Sequence, residues 1–163
     1  MPNEPKILAD SVFINEFDSD TNMATLAQVS GWFENNIGEL NTLLFTSFSG
    51  SGEAGQDTHV FHPTMGLEES GIYKKLYLKH FYQKKARNVL KGIDSSVDFI
   101  TLREGDSMIT RTNKNEIAKV YRGFAKDATE ELEKAVYAYN FYQAKPRQVV
   151  GSDVRVEPSS GTY

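Results

Sequence analysis

Few residues in this chain have the types and spacing that chemistry requires. His59 and His62 stand three apart in "HVFH", a spacing that holds zinc when both rings project from one helix face. Here they fall in a glycine-rich stretch, and the remaining histidine, His80, lies on a different expected element. Catalytic zinc takes three protein ligands and a hydrogen-bonded shell around them, so neither a metal nor any other cofactor is expected. "FSGSGEAG" approaches a phosphate loop and a nucleophile elbow. No Gly-Lys-Ser/Thr end follows it, and Glu53 stands where an elbow would hold its serine. A hydrolase built on Ser49 or Ser51 with His59 or His62 would also need an acid to orient the imidazole and strands to carry it. Asp127, Glu130, Glu131 and Glu133 crowd "KDATEELEK", but paired-carboxylate chemistry needs acids converging from several elements. They read as the solvated face of one helix, with Glu130 set to pair with Lys134. The chain is not expected to be an enzyme.

Charge is more informative. Between Lys74 and Lys91 the chain carries Lys74, Lys75, Lys79, Lys84, Lys85, Arg87 and Lys91 with no acidic residue, interleaved with tyrosines and Phe81. Lysines on the wet side of an amphipathic helix give this pattern. So does a surface that meets phosphates or an acidic partner. Because the whole chain has net charge -4, the separation suits packing of like subunits, a basic helix against the acidic third helix or the N-terminal arm of a neighbour. The competing reading is a nucleic-acid-binding helical module using residues 74–91.

The elements that must position these residues follow from length and period. A chain of 163 residues, 39% hydrophobic and 25% charged, fits one domain with one core. The absence of cysteine excludes disulfides and thiol chemistry. The N-terminus lacks the pattern of a signal peptide and no apolar window reaches the ~18 residues of a membrane span, so a soluble protein without membrane contact is expected.

Residues 1–20 read as an extended N-terminal arm with two prolines and an apolar cluster around Val12, Phe13, Ile14 and Phe17. A helical domain covers 21–145. Apolar residues at three- and four-residue spacing give two helical pieces between about Thr21 and Phe48, capped by Asp20 or Thr21 and broken near "NNIGEL". A glycine-rich loop over 47–66 follows, then a helix over 67–91 that Gly92 ends.

"DFITLREGDSMIT" reads as a hairpin within 97–111. A two-residue Glu104-Gly105 turn sets Arg103 opposite Asp106, Ile100 opposite Ile109 and Asp98 opposite Arg111; a three-residue loop with a glycine bulge is the other option. An isolated ribbon is marginal in water and needs a surface to lie against. Asn113 and Glu116 have capping-box spacing and open a helix that runs to about Gln143, with Ile117, Val120, Tyr121, Phe124, Ala128, Leu132, Ala135, Val136 and Tyr139 on its apolar face. Pro146 ends it, and 146–163 form a C-terminal arm. The fold class is mainly α: an elongated helical bundle with a long final helix, one β-hairpin and extended arms at both ends.

With these parts in place, "VDFITLREGDSMITRTNKNEIAKVYRGFAKDATEELEKAVYAYNFYQAK", residues 97–145, and the order of elements before it resemble the head–tail connector (adaptor) proteins of tailed bacteriophages. The resemblance implies a homo-oligomeric ring, commonly a dodecamer, at the head–tail interface of the virion. The ring would sit beneath the portal protein, receive a neck or tail-completion protein on its other face, and let DNA pass without sequence-specific contact. It implies no catalysis. On this reading the portal-docking arm is Val149, Val150, Val154, Arg155, Val156 and Tyr163, with Arg155 and Tyr163 as anchors. Subunit contacts are expected at Lys74, Lys75, Lys79, Arg103, Glu104 and Asp106. A bacterial helical scaffold outside any phage would share the fold.

Overall fold

A computed structural model describes residues 5–51, 60–91, 101–104, 107–110 and 114–144. Within them the chain is mainly helical, with a long final helix and a short antiparallel hairpin before it. The first helix, α1 (Pro5–Asn15), replaces the extended arm expected over 1–20. Proline was the misleading signal: at a helix's first position its missing N–H would have had no partner anyway. The i, i+4 pair Leu8 and Val12, with Ala9, buries one face of α1, and Phe17 follows it into the core.

Helices α2 (Leu26–Asn35) and α3 (Ile37–Leu44) are the two expected pieces, separated at Asn36. The cap of α2 is Thr25, not Asp20 or Thr21. Thr25 and Gln28 form a reciprocal capping box, each side chain accepting from the other's backbone N–H. Asn36 closes α2 by donating both its backbone N–H and its side-chain amide to the Trp32 carbonyl.

The glycine-rich stretch is more than a loop. Its ends pair as β1 (Ser49–Ser51) and β2 (Val60–His62), antiparallel, with Gly50 opposite Phe61. Phe61 and Met65 are fully buried, so the returning limb anchors the stretch in the core.

Helix α4 (Leu67–Lys91) has the expected bounds and is the centre of the molecule. Its buried side chains include Ile72, Tyr73, Leu76, Tyr77 and Phe81. Phe17, Trp32 and Phe33 stack on these rings in edge and tilted geometries, with centroids 4.5 Å apart for Phe17–Phe81 and 4.9 Å for Phe33–Tyr73. The Tyr73 hydroxyl donates to the Phe33 carbonyl at 2.6 Å, tying α4 to α2 inside the core. Burial pushes its pKa far up.

Strands β3 (Thr101–Glu104) and β4 (Ser107–Thr110) form the expected hairpin, in a different register. Glu104 pairs with Ser107, Arg103 with Met108 and Leu102 with Ile109. The connecting pair is therefore Gly105-Asp106, not Glu104-Gly105, and Arg103 does not oppose Asp106.

Helix α5 (Lys114–Gln143), 30 residues and about 45 Å long, packs antiparallel on α4. Tyr139 reaches Glu69 at one end and Phe124 stacks on Tyr82 toward the other. Its buried stripe is Ala118, Ala125, Leu132 and Tyr139. That seven-residue spacing is the seam of paired helices, and its alanines allow close approach. The expected apolar face is thus rotated: Ile117, Val120 and Phe124 are exposed, while Leu132 and Tyr139 are buried as expected.

Candidate assembly surface

Exposed apolar side chains gather at the end of the bundle away from the β3–β4 hairpin. Phe45 is 87% exposed, Leu67 85%, Tyr137 and Phe141 73% each, and Tyr142 63%. Two contacts bring their elements together. Asn140 donates to the Leu43 carbonyl at 3.0 Å, and the Tyr139 hydroxyl donates to Glu69 Oε1 at 2.7 Å. Tyr137 and Phe141, one helical turn apart, stack on each other with centroids 6.2 Å apart rather than on the core. Leu67 and Tyr142 border an apolar groove of about 350 Å³ between α4 and α5, whose walls include Ile72 and Ala138.

Phe45 is unusual twice over. It follows α3 in the left-handed conformation, φ 54° and ψ 39°, where helix ends favour glycine. The conformation is held from outside the residue. Asn41 Nδ2 donates to the Phe48 carbonyl at 2.7 Å, and its Oδ1 accepts from Phe48 N at 2.9 Å and from Thr46 Oγ1 at 3.1 Å. This clamp closes the turn and presents the Phe45 ring to solvent.

At 100° per residue, Ile117, Phe124 and Tyr142 fall on one flank of the buried stripe of α5. Tyr137 and Phe141 fall on the far side of the helix. The helix therefore shows apolar side chains in two directions besides its buried one.

The expected charge contacts are placed differently. Lys75 Nζ meets Glu131 Oε2 of its own chain at 2.7 Å, and this hydrogen bond holds the Glu131 pKa below its usual value. Lys74 Nζ lies 3.4 Å from Ser11 Oγ of α1. For Lys75 an acidic partner is thus supplied by the chain's own α5, whereas the partner of Lys74 is a neutral hydroxyl. Lys79 is half-buried on α4. Glu130 closes on Lys126, one turn back, rather than on Lys134. Arg103 and Glu104 lie in β3, opposite Met108 and Ser107. Asp106, His59 and the arm residues Val149, Val150, Val154, Arg155, Val156 and Tyr163 lie outside the described residues.

Of the groups considered for catalysis, Ser49 and His62 lie within the described residues and face each other across the β1–β2 ladder. The Ser49 hydroxyl donates to the His62 backbone carbonyl at 3.3 Å, so its ladder partner engages it through the main chain and not through the imidazole. Among the described residues no group of three or more His, Asp or Glu could hold a metal, and no helix is long and apolar enough to cross a membrane. Spacing could have found the Phe45 clamp only through its polar residues, because nothing in "NTLLFTSF" marks Phe45 as left-handed. Comparison with protein-family models, curated proteins and solved structures found no match.

Proposed function

We propose that this chain is a structural subunit of the head–tail connector of a tailed bacteriophage, forming a ring beneath the portal around the DNA exit channel. The observation that carries the reading is the pair of exposed apolar edges on α5, Ile117–Phe124–Tyr142 on one side and Tyr137–Phe141 on another. A ring closes through heterologous contacts, so each subunit must offer two different surfaces. Aromatic side chains are also enriched where proteins associate. The rest of the reading comes from the resemblance over 97–145: docking on the portal through the C-terminal arm, and a neck or tail-completion protein on the opposite face.

The nucleic-acid reading of helix 74–91 stands second, because Lys74 and Lys75 face α1 and α5 of the same chain. The test is incorporation. A chain carrying Tyr137→Ser and Phe141→Ser should stay folded, since both rings are largely exposed, and should be lost from purified particles. Normal incorporation of that variant would contradict the role given to α5.

A further inference from the structure

The segment before α2 and the C-terminal half of α4 enclose a cavity of about 330 Å³, on a different part of the molecule from the exposed aromatic end. This volume lies within the range of small-ligand clefts. Its chemistry is sorted. Trp32, Tyr77, His80 and Phe81 supply ring surface, with Trp32 and His80 tilted at 40° and 5.5 Å between centroids. Lys84 and Lys85 stand at one wall, and no carboxylate is among the lining residues. Asn22, Gln28 and Asn88 add side-chain amides, groups that can both donate and accept.

Three details sharpen this. Lys85 Nζ is held over the Phe81 ring, 5.3 Å from its centroid, and lies 3.4 Å from the Asn22 carbonyl. The Trp32 indole N–H is buried without a hydrogen-bond partner, the single such side-chain atom among the described residues. Burial, aided by the cations Arg87 and Lys84 and opposed by Glu39, lowers the His80 pKa and favours a neutral ring.

Rings for stacking, amides for a base edge and lysines for an anion make the complement of a nucleotide. We infer that this cavity binds a nucleoside monophosphate, its base against Trp32 and His80 and its phosphate at Lys84 and Lys85. The unit could be free or the phosphorylated end of a single strand. This inference does not depend on the connector reading, and its failure would leave that reading as it stands.

Trp32 is the chain's one tryptophan, so its fluorescence reports on the cavity directly. Deoxyadenosine monophosphate titrated into the full chain should change that fluorescence saturably. Deoxyadenosine or inorganic phosphate alone should bind at least tenfold more weakly. The Lys84→Ala, Lys85→Ala double variant should raise the monophosphate Kd at least tenfold while leaving the circular dichroism unchanged. Tighter binding of a 5′-phosphorylated oligonucleotide than of the monophosphate would name the strand end as the source, and equal or weaker binding the free nucleotide. No saturable change, or a Kd unmoved by the double variant, would overturn the inference.

Discussion

Phe45 shows how a single residue can be poorly chosen for the fold that contains it. A left-handed conformation costs a side-chain-bearing residue roughly 1–2 kcal/mol, partly offset on replacement by glycine's greater freedom in the unfolded chain. Because the ring is 87% exposed, little packing is lost with it. Phe45→Gly is therefore expected to stabilise the chain by about 0.5–1 kcal/mol, read as a higher urea midpoint. Asn41 behaves in the opposite way. Its side chain makes three hydrogen bonds to Thr46 and Phe48, each with a net value of about 0.5–1.5 kcal/mol. Asn41→Ala should cost about 2–3 kcal/mol in the same denaturation experiment. A change below about 0.5 kcal/mol would mean that the turn holds itself.

Among the elements, the helices after residue 20 were legible because apolar spacing carries them. Residues 67–91 and the break at Asn36 could be read directly, since the period simply runs or stops there. Orientation was harder. Ala118 and Ala125 are weak apolar signals beside Ile117 and Phe124, yet the alanines face α4 because close helix approach rewards small side chains. The N-terminal helix was hidden by Pro5, which opens it. The hairpin's register was misread because opposite-charge pairs favoured another alignment, whereas the observed one sets Arg103 against Met108.

The joint between α4 and α5 makes its own prediction. The Tyr139 hydroxyl donates to Glu69, and burial together with that carboxylate raises its pKa to about 12; burial alone raises that of Tyr77 to about 12. Both lie above the unfolded value near 10. The stability linked to the protonated phenols is thus fully present below about pH 10. It is lost between about 10 and 12, as the unfolded chain releases protons that the folded one retains. Urea midpoints should be flat in this respect up to pH 10 and then fall, and less steeply in Tyr139→Phe. Equal slopes for the two proteins would remove Tyr139 from the joint.

The whole molecule is one core around α4 with a second long helix laid against it, and that second helix is only partly covered. Under the connector proposal, exposed Tyr137, Phe141 and Tyr142 are groups that meet neighbouring copies. None of this was legible in composition, because exposure of an aromatic residue depends on which stripe of α5 faces α4. The lysines show the converse. A helix segment without acids looked unpaired in the sequence, but the carboxylate that answers Lys75 lies 56 positions away on α5. The most direct measurement is quantitative mass spectrometry of purified particles, counting this chain against the portal protein. The connector account predicts about one copy per portal subunit. Absence of the chain from particles would contradict it.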